Sequence, residues 1–132
     1  MTTTNNTTPT ADHYQMIRDG VPEGMWLDHT VLFNFEQSEA TEAQIEELMA
    51  ECRDMGDACG GKEAGIMSCM VERNIDMRPG KGWSWGEKME FSSAEAFIRF
   101  HQHPAHDAFR QRMVDCKGAV WAVFDVAVPP RN

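Results

Sequence analysis

Three of the five histidines in this 132-residue chain crowd around one proline, in the run His101-Gln102-His103-Pro104-Ala105-His106. An imidazole with its ordinary pKa of about 6.5 takes or gives a proton near neutrality, which is what proton abstraction next to a carbonyl needs. His106 is the candidate general base or acid. The competing reading makes it a helix-start residue that satisfies backbone donors or packs on a sheet. His103, directly before a proline, suits an N-cap or corner. His29 faces the same way as Val31 and Phe33 in an alternating apolar run. A histidine at the start of an apolar strand face is often a satisfied rim residue. Trp83 and Trp85 are first of all core or interface aromatics, and they become a substrate wall only beside a cavity.

The same histidines can be drawn as a metal cluster. His101 and His103 straddle a helix break, however, and beyond Asp107 no carboxylate sits at a recognisable ligand spacing, so no metal is expected. The four cysteines (Cys52, Cys59, Cys69 and Cys116) contain no C-x-x-C pair and read as reduced thiols.

These residues must be positioned by a small number of elements. Period-two alternation from His29 to Glu36 predicts a first strand. Thr41 is a natural N-cap with Gln44 at the capping-box position, and Ile45, Leu48, Met49 and Cys52 form a helical apolar stripe that Gly56 should stop. A loop should span Asp57 to Glu63, a second strand Ile66 to Ile75, and a turn Arg78 to Gly82. The third strand, Trp83 to Phe91, puts Glu87 on an otherwise apolar row, which means a rim or a pocket. Ser92-Ser93 caps a helix reaching His101, and His103-Pro104 starts another with Ala108, Phe109, Arg112 and Met113 at helical spacing. Gly118 to Val128 is the last strand. The order β-α-β-β-α-α-β is an α+β, ferredoxin-like plan. Its sheet has helices on one face only, and large apolar residues on both faces of three strands predict a two-fold homodimer.

The net charge of −9 argues against nucleic acid and against an anionic membrane surface, since both need clustered Lys and Arg. No stretch approaches the roughly 20 apolar residues of a membrane span. Residues 1–27 read as a flexible tail or arm, in which His13 to Arg18 can form a short helical turn. Residues 28–128 read as the domain and 129–132 as a C-terminal tail. The Thr/Asn-rich start lacks a basic n-region and an apolar core, so a cytoplasmic location is expected.

With these elements in place, the sequence resembles the stress-responsive dimeric α/β-barrel (Dabb) family over about three-quarters of its length. The resemblance rests on His29-Thr30-Val31-Leu32-Phe33, on the Thr41-Glu42-Ala43-Gln44 helix start, on Lys81-Gly82-Trp83-Ser84-Trp85, and on His103-Pro104-Ala105-His106. The family includes plant stress proteins and cofactor-free enzymes, among them olivetolic acid cyclase-type polyketide cyclases that work by aldol chemistry. The resemblance implies a dimeric α/β barrel in which His106 is the catalytic base and His29 lines the pocket. It also implies two departures. Phe100 stands where those cyclases carry an assisting tyrosine, and Trp85 stands where they carry another pocket histidine.

The expectation is therefore a cofactor-free, lyase- or cyclase-type enzyme acting on an aromatic or polyketide-like substrate by aldol, retro-aldol, decarboxylation or proton-shift chemistry. His106 and His29 would be catalytic, while Trp83, Trp85, Phe33, Phe100 and His103 would hold the substrate. A non-catalytic stress or ligand-binding homodimer is the main alternative, and a cofactor-free monooxygenase the second. A cavity of roughly 300 Å³ or more beside His106 separates an enzyme from a filled core.

Overall fold

The computed structural model describes residues 11–131. The expected tail over residues 1–10 lies outside these. The first described element is already ordered: α1 runs from Ala11 to Gly20, buries Ile17 and packs against the second half of the fold, where Arg18 pairs with Glu95 at 2.7 Å. Residues 11–20 form a ten-residue helix, longer than the short turn expected over His13 to Arg18. Then follow β1 (Trp26–Asn34), α2 (Glu42–Ala58), a 3-10 turn (Gly61–Ala64), β2 (Ile66–Arg73), β3 (Trp83–Phe91), α3 (Ala94–His101), α4 (Pro104–Asp115) and β4 (Val120–Val128). After α1 the order is β-α-β-β-α-α-β. The strands form one antiparallel sheet in the spatial order β2-β3-β1-β4, the ferredoxin-like arrangement.

Alternation decides which side chains the helices cover. Leu27, His29, Val31 and Phe33 of β1 are all buried, as are Trp85, Glu87, Met89 and Phe91 of β3. α2 docks its Ile45, Met49, Cys52 and Met55 on this face. The predicted capping box is present: the Thr41 side chain accepts from the Gln44 amide at 3.2 Å, and the Gln44 side chain accepts from the Thr41 amide at 2.8 Å. Gly56 does not stop α2. It lies inside the helix where a Cβ would stand 3.0 Å from that of Cys69, so its missing side chain lets α2 approach β2 closely. On α4 the core-facing pair is Phe109 and Met113, while Ala108 and Arg112 are exposed.

The other sheet face carries Leu32, Met70, Phe124 and Val126, which remain exposed. Across its end lies Arg131, bonded to Asp28 at 2.8 and 3.0 Å and paired with Glu90. Arg131, beyond the end of β4, is thus anchored to β1 and β3.

One glycine matters for the position of α3. Gly65 has φ of 86°, and a Cβ there would stand 2.6 Å from that of Ala96. Its carbonyl also accepts the Ser92 amide at 2.9 Å, just before the N-cap. Gly65→Ala should lose about 1–3 kcal/mol from the backbone alone, with steric displacement of α3 in addition. Urea denaturation checks this, and an unchanged midpoint would contradict it.

Candidate functional site

The centre of the site is set by strand register. In the β1–β4 ladder His29 stands opposite Asp125, so the two side chains meet on the helix-covered face as a direct cross-strand pair. His29 Nδ1 lies 2.5 Å from Asp125 Oδ1. On the other side β3 places Glu87 opposite Val31, one diagonal step away, and Glu87 Oε1 lies 3.7 Å from His29 Nε2. The other carboxylate oxygen, Oε2, accepts the Cys52 thiol of α2 at 3.1 Å. His29 and Glu87 are 5% and 6% exposed, so each depends on the other groups for its charge. Burial pulls the His29 pKa down, but the bond and charge of Asp125, with the charge of Glu87, outweigh it and leave it raised. Burial raises Glu87, against the lowering effects of His29 and Cys52. The Cys52 thiol is pushed well up, first by burial and then by Glu87, so it remains a donor.

The helices bring a second group of histidines. His103 is the N-cap of α4: its Nδ1 accepts the Ala105 amide at 3.0 Å, and Pro104 follows at the start of the helix. This fixes His106 in the first turn, with its ring 4.8 Å from Phe100 and 4.7 Å from His101. Its Nδ1 is buried without a hydrogen-bond partner among the described residues. His101, the last residue of α3, meets the Tyr14 hydroxyl of α1 at 3.2 Å. Burial, reinforced by the neighbouring histidines, lowers His101 to about 3. Burial, then the charges of His29 and Arg110, lowers His106 to about 4. The site thus holds one imidazole whose hold on a proton is raised and two whose hold is lowered.

Between these groups lies a cavity of about 260 Å³, with His29, Glu87, Asp125, His101 and His106 at its polar wall and Phe33, Phe97, Phe109, Met113 and Trp121 among its apolar ones. It is somewhat smaller than the roughly 300 Å³ at which ordinary ligand sites begin, yet the described residues do not fill the space beside His106.

Of the residues expected to build a site, His106, His29 and Phe33 meet here. Four others do not line it. Trp83 and Trp85 belong to a separate, more open depression between β2 and β3. Trp85 is buried there beneath the Arg73 guanidinium, 4.7 Å from its ring centre, because the third-strand row runs away from the His29 end of the sheet. His103 spends its side chain on capping. Phe100 is 2% exposed and backs the His106 ring without reaching the cavity. Asp125, Glu87 and His101 were not among the expected site residues. Glu87 was marked by its place in an apolar row. Asp125 could have been found by continuing the Trp121, Val123 alternation one step. Among the described residues, no group of three or more His, Cys, Asp and Glu is placed to hold a metal ion, and no helix is long and apolar enough to cross a membrane.

The opposed histidines make stability depend on pH in a definite direction. Below pH 6.5 the unfolded chain takes protons that folded His101 and His106 refuse, so stability present above that pH is lost as pH falls toward 4. His29 has the opposite sign: its contribution is full below its ordinary pKa and fades as pH rises through its raised value. The urea midpoint should drop from about pH 7 to about pH 5, and His106→Gln should flatten that drop. An equally steep drop in the variant would refute the assignment.

The geometry can be set beside known proteins. Residues 27–128 match the family described as Stress responsive A/B Barrel Domain. No match was found among curated proteins. Several solved structures share the fold. A hydroxynitrile lyase from Passiflora edulis superposes with a TM-score of 0.65 at 15% identity, covering 83% of this chain and 98% of that one. A Dabb family protein with a ferredoxin-like fold from Mesorhizobium loti gives 0.57 at 24% identity, covering 82% and 99%. A dimeric ferredoxin-like protein from Thermobifida fusca gives 0.61 at 16% identity, covering 77% and 92%. With 102 of its 132 residues (27–128) inside the family match, this chain belongs to the stress-responsive α/β-barrel, or Dabb, family.

Proposed function

We propose that the chain is a cofactor-free small-molecule enzyme in which His106 is the general base and His29 the acid or oxyanion partner of a lyase- or cyclase-type step. The observation that carries this reading is the opposite tuning of two histidines on one cavity: His29 raised by carboxylates, His106 held neutral by burial. A pair of titratable groups pushed apart by their surroundings is how a site holds acid and base together at one pH. In an aldol, retro-aldol or proton-shift step, neutral His106 takes the proton. The carbonyl oxygen gains the electron pair, and the Nε2–H of His29 meets it. His101, lower still, stays neutral and spaces His106 from α1.

The walls favour a compact aromatic substrate, since Phe33, Phe97 and Trp121 surround a space of about 260 Å³. That volume suits a single ring better than an extended polyketide. The hydroxynitrile lyase among the structural neighbours is consistent with a lyase on this fold. Phe100 contributes packing to His106 and no hydroxyl, so a mechanism that needs a phenol one helical turn before the His-Pro-Ala-His run is disfavoured.

The working unit in this proposal is a homodimer. Leu32, Met70 and Phe124 are 43%, 55% and 67% exposed on the uncovered sheet face, and a second copy would bury them. The dimeric Thermobifida fusca neighbour supports this.

Two outcomes are expected. His106→Ala should lower turnover of a small aromatic hydroxynitrile or aldol substrate by about 10²–10⁴-fold while circular dichroism stays that of the parent. Persistent turnover would exclude His106 as the base. Sedimentation at micromolar protein should give a dimer that Phe124→Glu dissociates, and a stable parent monomer would contradict the buried-face argument.

A further inference from the structure

His29 and Glu87 each have one side committed and one side open. Asp125 holds Nδ1 of His29 at 2.5 Å, which leaves Nε2 as the open ring nitrogen, a donor in the protonated form that Asp125 and Glu87 favour. The Cys52 thiol holds Oε2 of Glu87 at 3.1 Å, and Cys52 is fully buried, so the carboxylate cannot turn freely. That leaves Oε1 as its remaining acceptor. The open donor and open acceptor lie 3.7 Å apart, and both residues line the cavity. Among the described residues neither atom makes a hydrogen bond, and 3.7 Å is too long for one between them.

This spacing has a chemical meaning. A donor and an acceptor about 3.7 Å apart can both be reached at normal hydrogen-bond length by one oxygen, provided that oxygen carries a hydrogen. A carbonyl or ether oxygen can accept from Nε2–H but offers nothing to Glu87. A carboxylate would face the charges of both Glu87 and Asp125. A hydroxyl accepts from His29 and donates to Glu87. The aromatic wall, with Phe97 5.2 Å from the His29 ring, would hold a ring bearing that hydroxyl.

We propose that Glu87 and His29 form a clamp for a hydroxyl oxygen, and that the site binds hydroxyl-bearing aromatic compounds, either phenols or aryl carbinols, in preference to their ethers. Glu87 is the ligand-binding residue of the clamp, and Cys52 is a positioning residue that acts through it. The inference rests on the cavity assigned above as the active site, and it adds the functional group that the substrate presents there.

The test uses the full-length chain and two probes, phenol and its methyl ether anisole, followed through the ring-nitrogen NMR signals of His29. Phenol should shift these signals saturably and anisole should bind at least about tenfold more weakly, the difference expected for one hydrogen bond to a charged group. Glu87→Gln keeps the shape of the side chain and should shrink the phenol preference to less than about threefold. Cys52→Ala should narrow the preference and Cys52→Ser, which restores a donor, should recover it. Equal binding of the two probes by the parent protein would overturn the clamp while leaving the cavity as a binding site. An undiminished preference in Glu87→Gln would overturn the role of Glu87. Failure of both probes to move His29 would overturn both the clamp and the cavity as a site for aromatic ligands.

Discussion

A histidine taken almost wholly out of water depends on what faces it. In this fold the answer is the β1–β4 register, which sets Asp125 opposite His29. A buried imidazole alone would refuse a proton, as His101 and His106 do. With a carboxylate at 2.5 Å and a second one diagonally across, His29 instead has its pKa raised. Everything chemical in the cavity is organised by that difference. A slip of one residue in β4 would send Asp125 to the outer face and bring an apolar neighbour inward. The site would then lose the contact that most sets His29 apart from the other two histidines.

The helical layer works by exclusion. Phe97 and Phe100 surround the histidines with rings, with centroids 5.2 Å from His29 and 4.8 Å from His106. These contacts supply the low-polarity environment that keeps His106 uncharged. The Cys52 thiol performs a similar service for Glu87 by occupying one oxygen. A buried cysteine of this kind has no reactive role: with its pKa pushed upward by burial and by Glu87, it is a fixed hydrogen-bond donor.

Much of this architecture could be read from spacing. The order of elements, the Thr41 capping box and the His103-Pro104 corner all follow from local rules, because each depends on residues within one turn or one strand. The candidate site was legible only in part. His29 and His106 stand out because histidine is rare on apolar faces. Asp125 and Glu87 carry meaning only through strand pairing over long separations, which local pattern does not give. The tryptophans illustrate the opposite error. Trp85 shares a face with Glu87, but one step further along β3 the face passes from the cavity to the region under Arg73. Residue type and face were right there, and position along the strand was not. The extent of α1 was obscured by its weak apolar pattern, since only Ile17 is buried in it.

β4 is hydrogen-bonded to a neighbour on one side only, since it ends the strand order β2-β3-β1-β4. An edge strand breathes more readily than a central one, through local opening that leaves the rest of the fold intact. Each such opening withdraws Asp125, whose bond and charge raise the hold of His29 on a proton. Fraying of the sheet edge therefore weakens the acid-base character of a residue on the adjacent strand, and closure restores it.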